Sequence, residues 1–156
     1  MAPSPIPAGY HSVTPYLIVK DAARALEFYK QAFGAVELFR LADPTGKVGH
    51  AEMQFGDARF MLADEFPEMN VLGPQTRGGV TASILLYVED VDASFQKAVA
   101  AGATIQRPLA DQFYGDRSGT VVDPFGQQWT VASHKEEVSP AEMQRRYDEM
   151  MKGSSK

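Results

Sequence analysis

The sequence predicts an α+β fold: two tandem βαβββ modules forming a curved mixed sheet around a cleft, with a helix added at the C-terminus. Three observations predict it. A strand-then-helix pattern occurs twice along the 156 residues. Each helix is framed by an Asp before it and a Gly after it, 13 positions apart from Asp21 to Gly34 and 12 from Asp90 to Gly102. Each is then followed by strand-like runs separated by hairpin sequences.

In the first module, residues 13–19 form an apolar strand. Asp21 caps the helix 22–33 by accepting from amides of its first turn. Ala22, Ala25, Leu26, Tyr29, Ala32 and Phe33 make one apolar stripe, and Gly34 ends the helix in a left-handed conformation. Strands follow at 36–41, 48–55 and 58–63, joined by turns at 44–46 and 56–57. In the second module, residues 82–88 are the strand and Asp90 or Asp92 is the cap. Val91, Phe95, Ala98 and Val99 face inward, and Gly102 stops the helix. Residues 104–107 lead into a long loop, after which strands at 119–122 and 128–133 flank the turn at 123–126.

The segment 64–79, with two prolines and three glycines, reads as a linker. Residues 1–11 read as an extended arm, because three prolines in the first seven residues exclude helix. Ser139 caps a last helix with Pro140 in its first turn. Its apolar stripe, including Met143, Met150 and Met151, is expected to dock on the body or on a partner. The domain therefore runs over 12–135 (module one 12–64, linker 65–80, module two 81–135). The last helix occupies 136–152, and a disordered tail 153–156.

Composition narrows the function. Fifteen Lys and Arg against 20 Asp and Glu, without a basic run, argue against a nucleic-acid partner. No apolar stretch approaches the roughly 18 residues that cross a bilayer, and the N-terminus lacks the pattern of a signal peptide. The absence of cysteine excludes disulfides, thiolate metal sites and a cysteine nucleophile. A cytoplasmic protein is expected.

Several stretches together resemble the vicinal oxygen chelate superfamily of glyoxalases, bleomycin-resistance proteins and extradiol dioxygenases, and within it the PhnB-like branch. They are 13–21 with Phe28 and Tyr29, 49–53, 87–92, 101–103, 114–117, and Asp123-Pro-Phe-Gly126 with Trp129. The resemblance covers roughly residues 12–147 and implies a cleft and a homodimer. One scaffold of this kind hosts many chemistries.

Metal-using members of that superfamily draw one ligand from the first strand of each module and one from the last. The matching positions here are Thr14, Ser83 and Thr130, with Phe60 as the fourth, or Met61 if the turn slips by one residue. None is a His or a carboxylate, so the usual metal site is not expected. The branch also often carries a His just after the Asp-Pro-Phe-Gly turn, where Gln127 and Gln128 stand here. No cofactor is therefore predicted, beyond a divalent metal held at a displaced site.

Strand alternation sends Leu17, Val19, Leu86 and Val88 to the helices. Thr14, Tyr16, Ile18, Ser83, Leu85 and Tyr87 then face the cleft, where they line a pocket or fill a closed core. His50 and Glu52 share one strand face. They read as a displaced metal site, as a catalytic acid–base pair, or as an ordinary polar surface. Tyr114 suits stacking on a ring, and the Arg117 guanidinium suits a carboxylate or phosphate. Asp116 and Arg117 equally suit an ion pair that orders their own loop. Thr130 faces the cleft at a ligand-equivalent position, and Trp129, pointing the other way, belongs to the core.

Three functions follow as expectations. The first is a protein that binds a small organic molecule in the cleft without the usual metal. The second is a metal-dependent or metal-free lyase or isomerase using His50 and Glu52. The third is an accessory protein acting through its C-terminal helix.

Overall fold

The computed structural model describes residues 2–154. Module one consists of β1 (Tyr16–Val19), α1 (Ala22–Phe33), β2 (Val36–Ala42), β3 (Val48–Phe55) and β4 (Ala58–Asp64). Module two consists of β5 (Ile84–Tyr87), α3 (Val91–Ala101), β6 (Thr104–Asp111), β7 (Asp116–Val122) and β8 (Gln128–His134). A 3-10 turn, Pro67–Met69, and a short helix α2, Pro74–Arg77, lie between them, and α4 (Pro140–Gly153) follows. The linker is thus folded rather than a plain loop. Among the described residues no helix is long and apolar enough to cross a membrane.

Each module makes its own mixed four-stranded sheet, in the orders β1-β4-β3-β2 and β5-β8-β7-β6. In each, the first strand runs parallel to the last and the remaining pairs are antiparallel. The repeat is therefore structural as well as sequential.

The helix caps differ in an instructive way. Asp90 caps α3 by accepting from the Ala93 amide at 3.1 Å, which leaves Asp92 free to pair with Arg117. Asp21 sits at φ 62° and accepts from Arg24 N at 3.3 Å. The amide of Ala22, one of the orphan donors at the start of α1, goes instead to the buried carboxylate of Asp64 at 2.8 Å. Asp64 also takes the Val48 amide at 2.7 Å, so one carboxylate ties α1, β3 and β4 together.

Several boundaries move. The first strand of each module is shorter than expected, beginning at Tyr16 and Ile84. β6 extends through Pro108 to Asp111, where the sequence suggested a long loop, and β7 starts at Asp116. β6 is an edge strand with two irregularities of register, so a proline there sacrifices no ladder bond. The expected tail is helical at its start: Gly153 closes α4 and Ser154 is its C-cap. Ser155, Lys156 and Met1 lie outside the described residues.

The two modules share one core. Leu17, Val19, Ala51, Met53 and Leu62 pack beneath α1, and in the matching layer Val91, Phe95 and Ala98 of α3 face Val121 of β7 and Val131 of β8. Gly119 lets the Phe95 ring lie directly on β7, where a Cβ would overlap it. Across the boundary, the Trp129 ring lies 5.1 Å from Tyr29, 4.8 Å from Phe33 and 5.9 Å from Phe60. Trp129 is fully buried, as its place opposite Thr130 on the strand predicts. Phe60 belongs to this same core. Since the helix-side faces meet here, the opposite face of each sheet is turned outward. Tyr16, Phe39, Leu41, Leu85 and Tyr87 remain exposed there.

α4 contributes no buried residue. It is held by Arg146, which reaches the Phe113 carbonyl at 3.1 Å and Glu136 at 2.7 Å, and by Tyr147 against the Phe113 ring. Its apolar stripe is only lightly docked on the body: Tyr147 and Met150 stay exposed.

Candidate functional site

The outward face of module one carries a continuous polar relay. Tyr16 is the first residue of β1, and His50 and Glu52 alternate on β3, so all three project from the same face. The Tyr16 hydroxyl meets His50 Nδ1 at 2.8 Å, and His50 Nε2 meets Glu52 Oε1 at 3.3 Å. An ionised Glu52 only accepts, which puts the neutral imidazole proton on Nε2 and leaves Nδ1 to accept from Tyr16. Burial and the Glu52 charge raise the Tyr16 pKa, so the phenol keeps its proton as donor. The Phe39 ring lies 5.7 Å from His50 and covers its far side.

Next to this relay lies a largely apolar hollow of about 400 Å³, bounded by Tyr16, Ile18, Ala63 and, from the linker, Phe66, Met69 and Val71. The 3-10 turn of the linker folds back here, and a bridge between Phe66 and Val71 fixes it. The hollow is within the size range of small-ligand sites, with polar groups on one edge. A second hollow, of about 530 Å³, separates the modules. Tyr16 and Ser83 border it with Pro15, Leu72, Val80 and Gln127.

Module two carries a counterpart at a different place. The Tyr87 hydroxyl donates to Asp116 Oδ2 at 2.9 Å, and His134 Nδ1 lies 2.7 Å from Asp116 Oδ1. His134 Nε2 faces Glu137 at 3.2 Å. The Asp116 carboxylate, itself buried, raises the pKa of both Tyr87 and His134. Thr130 shares this face and pairs with Thr120, oxygen to oxygen, at 2.9 Å.

Tyr16, His50 and Glu52 are thus brought together, whereas Tyr87 and Thr130 lie on the other sheet. Tyr114 sits in the loop before β7, its ring against Phe113 and its hydroxyl within electrostatic reach of Tyr87. Thr14 precedes β1 and is half-buried. Arg117 stands apart from all of them. It points to the helix side, where its guanidinium pairs with Asp92 at 2.9 Å and Asp111 at 3.3 Å. The expected pairing of Asp116 with Arg117 is not formed: Arg117 pairs with Asp92 of α3 and Asp111 of β6, while the Asp116 carboxylate goes to Tyr87 and His134 on the other face.

Sheet register settles the fourth ligand-equivalent position. Met61 pairs with Tyr16 as Thr130 pairs with Leu85, so the equivalent residue is Met61; Phe60, one place earlier, turns into the core. Thr14, Met61, Ser83 and Thr130 offer hydroxyls and one thioether, a donor set that does not fit zinc, iron or another divalent metal of this fold. Among the described residues no group of three or more His, Cys, Asp or Glu is arranged to hold a metal ion.

Sequence reasoning missed Asp116 and His134 as partners of Tyr87, although alternation from Thr130 puts His134 on the same face. It also missed Tyr10 and the linker residues Phe66 and Met69. Nothing local in the sequence shows where an arm or a linker folds back.

A family model described as the Glyoxalase/Bleomycin resistance protein/Dioxygenase superfamily matches residues 9–131. The chain belongs to that superfamily. Among its relatives in it, an uncharacterized protein of Mycobacterium bovis is 44% identical over 136 residues, covering 85% of this chain and 90% of its own. The X-ray structure of an Arabidopsis thaliana gene product is 28% identical, with a TM-score of 0.64 over 79% of this chain and 98% of that one. The PhnB protein from Bacillus cereus has the same fold, at 21% identity and a TM-score of 0.62, over 79% of this chain and 99% of that one.

Proposed function

We propose that this glyoxalase-superfamily chain binds a small, planar, largely apolar organic molecule on the outward face of module one, without a metal. The observation that carries the reading is the junction of the 400 Å³ apolar hollow with the Tyr16–His50–Glu52 relay. Ile18, Ala63, Phe66, Met69 and Val71 supply the dispersion surface, and the relay supplies orientation. Tyr16 borders both this hollow and the one between modules, so the ligand lies at the mouth of the inter-module cleft. The protein acts in the cytoplasm, and it does so as a homodimer, the second part being supported by the apolar side chains left open on both sheets.

Titration of 15N-labelled protein with 4-cyanophenol tests the site. Amide shifts are expected at Ile18, Ala63, Phe66 and Val71, and a Val71→Arg variant that fills the hollow is expected to abolish them. Shifts confined to residues 79–84, or no shifts at all, would sink the reading.

A second reading is favoured by the relay itself. With its proton on Nε2 facing Glu52, His50 is arranged as the proton carrier of a metal-free lyase or isomerase. Such an enzyme exchanges carbon-bound protons next to a carbonyl, measurable as deuterium uptake by small ketones and aldehydes. His50→Ala is expected to stop the uptake with the fold intact; undiminished uptake in that variant rules the enzyme out.

A further inference from the structure

The hollow on module one has a single strong hydrogen-bonding side chain in its wall. Among the described residues that line it, Tyr16 alone carries a hydroxyl or an N–H; the rest is hydrocarbon, glycine or the weakly accepting Met69 sulfur. Tyr16 is 47% exposed, and Gly49, the chain neighbour of His50, lines the same hollow. The hollow therefore reaches the hydroxyl end of the Tyr16 ring, where it meets His50.

The direction of that hydroxyl is set at the far end of the relay. Glu52 faces two donors, His50 Nε2 at 3.3 Å and the hydroxyl of Tyr10. Burial and the Glu52 carboxylate push the Tyr10 pKa up to about 12, so this phenol keeps its proton. The arm that brings Tyr10 here is held by Arg59, which donates to the Ala8 carbonyl at 3.1 Å and lies 5.0 Å from the Tyr10 ring centroid. Glu52 thus serves as acceptor, the imidazole proton stays on Nε2, and Nδ1 takes the Tyr16 proton at 2.8 Å. What the Tyr16 oxygen has left is lone pairs. We infer that Tyr16 shows the hollow an acceptor and no donor, with His50 as the positioning residue that fixes this polarity. The ligand accordingly carries an O–H or N–H donor, of phenol or anilide type, on an otherwise apolar body. A ligand whose only polar atoms are ether or carbonyl oxygens sets lone pairs against lone pairs there. This inference rests on the binding reading above and names the ligand class for it.

The test uses the full chain and reads both ends of the relay. Ring 15N shifts of His50 at neutral pH are expected to show its proton on Nε2; a proton on Nδ1 overturns the proposal. Three probes of similar shape are then compared by NMR titration. At the varied position 4-cyanophenol donates and accepts, 4-methoxybenzonitrile only accepts, and 4-methylbenzonitrile does neither. The wild-type protein is expected to prefer the phenol over both others by about fivefold, the net worth of one hydrogen bond. His50→Phe releases the Tyr16 proton to the hollow. It is expected to raise the methoxy compound about fivefold over the methyl compound, a gain that damage to the fold would not produce. The double variant Tyr16→Phe/His50→Phe is expected to bind all three within about twofold of one another. If the probes shift the amides of module one but the wild type does not prefer the phenol, or His50→Phe gains nothing for the methoxy compound, the proposal fails and the binding reading survives. If no probe shifts those amides in the wild-type protein, both fail.

Discussion

The Tyr29 hydroxyl donates to Oδ2 of Asp123 at 2.6 Å, from the helix of one module to a turn of the other. The same oxygen accepts from Trp129 Nε1 at 2.9 Å, and Oδ1 takes the amides of Phe125 and Gln127, each at 2.9 Å. The Asp123-Pro-Phe-Gly126 turn is therefore the polar fastening of an otherwise apolar module boundary. Replacing Asp123 by Ala strands four buried donors and is expected to cost about 3–5 kcal/mol. Tyr29→Phe removes one bond and is expected to cost about 1–2 kcal/mol. Urea unfolding of both variants checks the ratio.

Asp123 also sets a pH dependence. Burial raises its pKa despite the four donors that oppose the rise. The native state therefore holds this proton to higher pH than the unfolded chain does. Its contribution to stability is greatest in acid, falls as pH rises from about 4 through the folded pKa, and is flat above it. Asp123→Asn is expected to remove that fall. Urea midpoints of wild type and variant, followed upward from about pH 4, give the comparison.

At the start of α1 the sequence points to Asp21 as the capping residue, and the structure divides the role. Asp64, buried, takes the amides of Ala22 and Val48, so Asp64→Ala is expected to cost about 2–3 kcal/mol. Asp21 holds a left-handed backbone and a long capping bond. Asp21→Gly relieves the first while losing the second, and is expected to change stability by less than about 0.5 kcal/mol. Chemical denaturation of the pair decides which carboxylate does the capping.

His134 is held by Asp116 and Glu137, and Asp116 raises its pKa above the ordinary 6.5. A His whose folded pKa is raised stabilises fully below its unfolded pKa and loses that contribution as pH rises through the folded one. Proton NMR should place the His134 midpoint above 6.5 in the wild-type protein, and Asp116→Asn should bring it down. An unmoved midpoint in the variant would mean that Asp116 does not set it.

Much of this architecture was legible because helix stripes, capping acids and hairpin glycines are local signals. The Asp90–Gly102 helix and the burial of Trp129 follow from them directly. What remained hidden depends on contacts between distant segments. Whether Phe60 or Met61 matches Thr130 is a question of register, which only the pairing of β4 with β1 answers. Arg117 and Tyr114 are three residues apart, yet Arg117 goes to the helix side with Asp92 while Tyr114 stays near Tyr87. The relay of Tyr16 with His50 is 34 residues long in sequence and 2.8 Å in space; alternation gave the faces of both, and only the fold gave their meeting.

The last prediction concerns α4. Its own turns are stabilised by Arg145 with Glu142 and Glu149 and by Arg146 with Glu142, all on the surface. Exposed pairs of this kind are worth a few tenths of a kcal/mol each. With no buried residue, the helix adds to the body mainly through Arg146 on Glu136 and the Phe113 carbonyl and through the Tyr147–Phe113 contact. Truncation before Ser139 is therefore expected to lower stability by only about 1 kcal/mol and to leave 4-cyanophenol binding on module one unchanged. Size-exclusion chromatography with light scattering on the same variant then reads what the exposed Tyr147 and Met150 do. A dimeric wild type and a monomeric truncation would make α4 the interface, while dimers in both would assign it to the open sheet faces. A chain that unfolds on truncation would show instead that the two contacts at Phe113 hold more of the body than their exposure implies.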